Sequence, residues 1–147
     1  MKKEDLQNIL DNHKLWLEGS TKGKRADLRG VDLEGADLRY ADLRGADLIG
    51  VNLRYADLID ADLRYSNLKG ADLIGANLIG ANLRDANLRD AYLRDANLRD
   101  ADLRDADLIG ADLSYSDLTD AHLRFSDLEG ADLRGVIKWK KKTYKTY

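Results

Sequence analysis

The stretch ADLRGVDLEGADLRYADLRG, residues 26–45, opens a run of 22 five-residue units that reaches Gly135 without an insertion or a deletion. Leu fills the third place of every unit, and the first place always holds Ala, Val or Ser. The second place is Asp or Asn, except at Tyr92 and His122. The fourth and fifth places vary, although Gly, Asp and aromatic residues take every fifth place. The constant places and the variable places therefore have to meet different demands.

A period of five fits neither a continuous helix nor a continuous strand. A helix would spread the leucines around its circumference, and a strand would send successive leucines to opposite faces. The pattern fits a short extended segment followed by a corner. The first and third residues then point inward and the second points outward. Gly and Asp suit the corner because they tolerate positive φ or bond locally. Repeated corners predict a solenoid whose coils stack by backbone hydrogen bonds.

Tandem A-(D/N)-L-X-X units over residues 26–135 resemble the pentapeptide-repeat family. The resemblance implies an all-β fold, a right-handed quadrilateral β-helix with four units per coil. On that basis the run forms about 5.5 coils, a rod roughly 26 Å long.

The predicted core is a stack of leucines, each stabilising the fold by ~1.5–3 kcal/mol on burial. One column of this core is Leu28, Leu48, Leu68, Leu88, Leu108 and Leu128.

The chain as a whole predicts one domain with two short flanking segments. It has 147 residues and no cysteine, which excludes disulfides and thiolate metal sites. We expect a cap and linker at 1–25, the β-helix at 26–135 and a closing segment at 136–147. No apolar run is long enough to span a membrane, and the first residues do not resemble a signal peptide, so a cytoplasmic protein is expected.

The N-terminal segment is predicted to form an amphipathic helix over residues 3–18, ended by Gly19. We interpret this helix as a cap over the open end of the solenoid, although a partner-binding helix is the alternative. His13 is expected at the boundary of the cap rather than as a ligand. The apolar and boundary positions of this helix are Leu6, Ile9, Leu10, His13, Trp16 and Leu17.

The C-terminal segment, residues 136–147, carries five lysines. We expect Val136, Ile137 and Trp139 to close that end, followed by a basic tail. A homodimer that joins two C-terminal ends is the alternative way to hide the open edge. Direct nucleic-acid binding by this short tail is not expected.

Residues twenty apart should lie above one another if four units make a coil. One fourth-place column is then composed of Arg alone. We interpret it as a self-neutralising face, with an anion-binding stripe as the alternative. This candidate stripe comprises Arg44, Arg64, Arg84, Arg104 and Arg124.

Outward isoleucines suggest a second candidate surface. Ile59 and Ile79 would stack in one column, with Ile74 on the adjoining face. Single exposed aliphatic side chains need no functional explanation, but clustered ones are typical of contact surfaces. The hypothesis is that this candidate contact patch binds a protein partner or a second copy, and ordinary exposed side chains without a role are the alternative.

No catalytic, cofactor-binding or metal-binding motif occurs in the sequence, so we expect a non-enzymatic protein without a cofactor. The main hypothesis is a rigid scaffold or protein-binding module with an unknown partner and no membrane association. The family resemblance implies an alternative, because some members mimic duplex DNA, bind DNA gyrase and confer quinolone resistance. Residues 26–135 hold 13 Lys/Arg against 23 Asp/Glu, a net charge of −10 that is compatible with such a mimic. The basic C-terminus is not compatible with such a mimic.

Overall fold

The computed structural model describes residues 1–137. It contains one helix, α1, spanning Lys3–Leu17, followed by a succession of single-residue β-bridges separated by turns. The expected roles of Trp139 and of the lysines after it lie outside the described residues.

Each bridge pairs second-place residues twenty positions apart, in parallel. The first is Asp27 with Asp47, and the last is Asp117 with Ile137. Because a unit has five residues, twenty positions make four units per coil. The period expected from the family resemblance is therefore present.

One unit illustrates how a coil is held. The Asn52 N–H donates to the Val31 carbonyl at 2.9 Å in the preceding coil. The Leu53 N–H donates to the Asp72 carbonyl at 2.7 Å in the following coil. The unit thus bonds to both neighbours, and a bridge one residue long suffices because the next unit repeats the pattern on the adjoining face.

The interior is built from the first and third residues. All third-place leucines from Leu28 to Leu118 are buried, and the three after them are partly buried. Leu128 is among those three because no further coil among the described residues covers it. Buried Ser66 and Ser116 fit the first place because their hydroxyls donate to the backbone carbonyls of Leu63 and Leu113 at 2.6 and 2.7 Å. The core is thus built from leucine and small first-place residues, and the hydroxyls of its buried serines are bonded to the backbone.

Every fifth residue takes a left-handed backbone conformation, including the aromatic ones, such as Tyr40 (φ 61°) and Phe125 (φ 63°). A non-glycine residue in this conformation costs about 1 kcal/mol, which the ladder on both sides has to offset. The side chain then leans over the next coil. The Tyr55 ring lies 2.6 Å from where a Cβ on Gly75 would be, so Gly75 is needed beneath it.

Helix α1 packs beside the first coil. Its apolar face is Leu6, which is buried, and Ile9 and Leu10, which contact the core. Glu4 and Asp5 lie in its first turn and Lys14 in its last, as the helix dipole favours.

The chain then turns back along the helix, where the Lys24 N–H donates to the Asn12 carbonyl at 3.0 Å. A Cβ on Gly23 would lie 2.0 Å from the Trp16 backbone nitrogen, so only glycine permits this approach.

His13 joins the helix to the first unit. Its side chain is 0% exposed, and its Nδ1 accepts the Ala26 N–H at 3.0 Å. Its ring stacks on Trp16 with 5.3 Å between centroids. Because Nδ1 is an acceptor, the neutral ring carries its proton on Nε2. Burial lowers the pKa of His13. The Arg25 and Arg44 guanidinium groups lower it further. The Asp42 carboxylate and the Arg44 backbone carbonyl raise it, but they do not reverse the shift.

The core assignment predicts a sharp difference between two neighbouring substitutions. Leu83→Asp should prevent folding because it places an unpaired charge at a side chain that is 0% exposed. Arg84→Ala should change the free energy of unfolding by less than ~0.5 kcal/mol, because that side chain points outward. Urea unfolding followed by circular dichroism measures both, and equal losses would refute the inward and outward assignment.

The contacts of His13 predict a pH dependence. The pKa of its imidazole in the folded state lies below the ordinary 6.5, so the unfolded state binds the proton first as the pH falls. The free energy of unfolding should therefore decrease as the pH falls through the ordinary imidazole pKa of 6.5. Protonation at Nδ1 would also break the bond from Ala26.

The matched control is His13→Asn, whose amide oxygen can accept the Ala26 N–H but does not titrate. Both proteins carry Trp139→Phe, so that fluorescence reports Trp16 alone. Thermal unfolding over this pH range should be flatter for the Asn variant, and identical slopes would contradict the role of His13.

Candidate interaction surfaces

Where the second place of a unit holds Asp, the fourth-place arginine is clamped by that aspartate. In the unit of Asp42, Arg44 Nε donates to Oδ1 at 2.8 Å and Nη2 donates to Oδ2 at 2.6 Å. The Asp42 Oδ1 also accepts the Arg44 backbone N–H at 3.3 Å. Such bidentate pairs fix both side chains and leave little unpaired charge.

The pairing lowers carboxyl pKa values along the rod. Hydrogen bonds from Arg29 lower the pKa of Asp27 to about 2, and those from Arg104 lower the pKa of Asp102. Both carboxylates are therefore ionised at neutral pH and partly neutralised by their own units.

The candidate stripe has three different environments. Arg44, Arg64 and Arg104 are clamped by the aspartates two residues before them. Arg84 follows an Asn in the second place, so its Nε instead lies 3.5 Å from carboxylates of Asp85 and Asp105.

Arg124, the last member of the candidate stripe, follows His122. Its guanidinium carbon lies 4.5 Å above the centre of the Phe125 ring. The stripe is thus continuous as a column but not as a row of free charges, which favours the self-neutralising interpretation.

The candidate contact patch lies on two adjoining faces. Ile59, Ile74 and Ile79 are each partly exposed. The Tyr55 side chain, 59% exposed, lies over Gly75 beside this patch. Sequence reasoning placed the isoleucines but missed Tyr55, since its direction depends on the left-handed corner.

Sequence reasoning also missed the burial of His13. Its spacing marks one face of α1, but the bond to Ala26 depends on how the chain folds back after the helix.

No group of His, Asp or Glu within residues 1–137 is arranged to hold a metal ion. A hollow of about 340 Å³ opens between the start of α1 and the second and third units. In the part of the chain that the structure describes, no helix has the length and apolarity needed to cross a bilayer.

Comparison with solved structures finds several proteins that this chain is similar to. Rfr23, a pentapeptide repeat protein from the cyanobacterium Cyanothece 51142, matches with a TM-score of 0.77 at 28% identity, over 92% of this chain and 99% of that one. The pentapeptide repeat protein alr5209 from Nostoc Pcc 7120 matches at 37% identity with a TM-score of 0.46, over 84% of this chain and 93% of that one.

A trypsin-treated form of QnrB1, a plasmid-mediated fluoroquinolone resistance protein, matches at 27% identity with a TM-score of 0.39, over 78% of this chain and 64% of that one. A search of curated proteins found no match.

The family model for pentapeptide repeats matches residues 26–64, 66–105 and 101–137. Members of that family form right-handed quadrilateral β-helices. The parallel pairing of residues twenty apart is the register that such a helix requires. The chain therefore belongs to the pentapeptide-repeat family.

Proposed function

We propose that this chain is a non-enzymatic, rigid scaffold that binds another protein through its outward side chains. In this proposal residues 1–25 form the cap and linker, residues 26–135 form the β-helix of about 5.5 coils, and residues 136–147 close the far end. The packing of Leu6 against the core supports the cap.

The supporting observation is that the ladder does not depend on the outward residues. Leu78 lies in a unit whose fourth residue is Ile79, and its N–H donates to the Asn97 carbonyl at 2.7 Å. Leu83 lies in a unit whose fourth residue is Arg84, and its N–H donates to the Asp102 carbonyl, also at 2.7 Å. Since folding tolerates either side chain there, the fourth places are free to encode recognition.

Two surfaces are candidates for that recognition. The candidate stripe is largely occupied by its own aspartates, as at Arg44 and Arg64. The candidate contact patch offers partly exposed aliphatic side chains around Ile79. Burying apolar surface contributes more to association than exchanging one surface ion pair for another. We therefore assign the contact to the patch.

A gyrase-binding DNA mimic is the alternative, favoured by the net charge of residues 26–135. Duplex DNA presents unpaired phosphates along both strands. Here many carboxylates are bound to arginines, as in the 2.6 Å contacts of Asp42 with Arg44 and Asp62 with Arg64. This pairing weighs against the mimic.

The experiment is affinity capture with the immobilised full chain from extracts of its native cells, followed by calorimetry with the purified captured protein. We expect one saturable partner, whose binding is lost when Ile59, Ile74 and Ile79 are replaced by Ser. Ile109→Ser, on another face, is the matched control. Absence of saturable binding would overturn the scaffold, whereas protection of gyrase from a quinolone in a supercoiling assay would establish the mimic instead.

Self-association through the C-terminal end is a separate part of the proposal. Leu123, Leu128 and Leu133 are only partly buried there, and Ile137 is 48% exposed. A two-fold contact would cover this end. Sedimentation at several concentrations should show a mass of two chains, and a mass of one chain throughout would exclude the dimer.

A further inference from the structure

We infer that Tyr55, Ile59, Ile74, Ile79, Arg94 and Arg99 form one recognition surface for a protein segment whose apolar side chains are followed by carboxylates. We call these six residues the Ile–Arg surface. The inference rests on the proposed function and specifies the chemistry of the partner.

Backbone hydrogen bonds place these residues in adjoining coils. On one face the Tyr55 N–H donates to the Ile74 carbonyl at 3.0 Å, and the Gly75 N–H donates to the Arg94 carbonyl at 3.0 Å. Tyr55, Ile74 and Arg94 therefore follow one another at a spacing of about 4.8 Å per coil.

The adjoining face repeats this order. The Asp60 N–H donates to the Ile79 carbonyl at 2.9 Å, and the Gly80 N–H donates to the Arg99 carbonyl at 2.9 Å. Apolar side chains thus lie in the second and third coils of both faces, and an arginine lies in the coil directly after them.

The apolar part is open because its corners are small. Gly75 and Gly80 have no side chains of their own, and the Asp60 carboxylate lies over Gly80. The Tyr55 ring fills the space over Gly75 and remains 59% exposed. A flat, partly exposed group of one aromatic and three branched aliphatic side chains can anchor a partner without rearrangement.

The arginine part is open because the clamp is missing. A fourth-place arginine is clamped where the second place of its unit holds Asp, but Tyr92 and Asn97 occupy that place here. Arg54 and Arg89 also follow an Asn, and they bond instead to Asp72 and Asp107 in the next coil. Within residues 1–137 the single ion pair of Arg94 is the one from Nε to Asp95, at 3.9 Å, and its side chain is 51% exposed. The Arg99 guanidinium has no ion pair or hydrogen bond with any residue in 1–137. Both guanidinium groups are available to donate two hydrogen bonds to a carboxylate of a partner.

The charges around the surface favour a protein over a nucleic acid. Asp60, Asp95 and Asp100 lie at the neighbouring corners, in a rod that carries 13 Lys/Arg against 23 Asp/Glu over residues 26–135. A polyphosphate would meet these carboxylates along its length. A protein segment with one or two carboxylates next to apolar residues would bind the two arginines without contacting the neighbouring aspartates.

The test is a selection of random phage-displayed peptides on the immobilised full chain. Selected peptides are synthesised, and their affinity is measured by fluorescence anisotropy. We expect enrichment of apolar residues followed by Asp or Glu. Arg94→Glu with Arg99→Glu should weaken binding by about tenfold or more, and added salt should also weaken it.

Arg44→Glu with Arg64→Glu is the matched control, because it makes the same charge change on the clamped column. It should leave peptide affinity unchanged. Should the double Glu variant at 94 and 99 unfold, Arg94→Gln with Arg99→Gln removes the charges more gently. Circular dichroism establishes that each variant is folded.

Peptides that bind both double variants equally well, or that lose binding only with the 44 and 64 changes, would overturn this surface while leaving the scaffold proposal in place. Enrichment of basic peptides, or of none, would overturn it as well. A dimer that dissociates on Ile79→Ser would also overturn the proposal, since a second copy of the chain would then occupy the Ile–Arg surface. The capture experiment tests the scaffold proposal without reference to peptides.

Discussion

The hydrogen bond from each third-place leucine N–H to the next coil is the contact on which the molecule depends. It recurs on every face at about the same length, as in Leu53 to Asp72 and Leu83 to Asp102, both at 2.7 Å. The same residue buries its side chain, so the ladder and the core are made by one position. Leucine is required for packing, whereas the backbone bond depends only on the conformation that the corner imposes.

This arrangement separates folding from recognition. The first and third places are buried, and the fifth place turns the chain at a positive φ whether it holds Gly, Asp, Tyr or Phe. The second place decides whether the fourth-place arginine is clamped. Asn or Tyr in the second place therefore removes this clamp without disturbing the ladder, as the contrast between Arg44 and Arg99 illustrates.

The period predicted the inward Leu and the outward Asp. The stacking of residues twenty apart was predicted only once the family resemblance supplied four units per coil. It could not predict side-chain directions at the corners, because these follow from the left-handed conformation of residues such as Tyr55. Nor could it predict the His13 contact with Ala26, which depends on the turn that Gly23 permits. The sequence grouped the candidate arginines as a column but could not distinguish clamped from unclamped members. The candidate stripe and the candidate contact patch both stay predictions as binding sites.

Native-state hydrogen exchange tests the central claim most directly, since it reads each rung of the ladder. Amides of the third-place leucines from Leu48 to Leu113 should exchange only with the free energy of global unfolding, on all four faces alike. Those of Leu123, Leu128 and Leu133, which are only partly buried, should exchange sooner. Fast exchange on one face of the middle coils, for example beneath the unclamped Arg94 and Arg99, would contradict a ladder that is independent of the surface it carries.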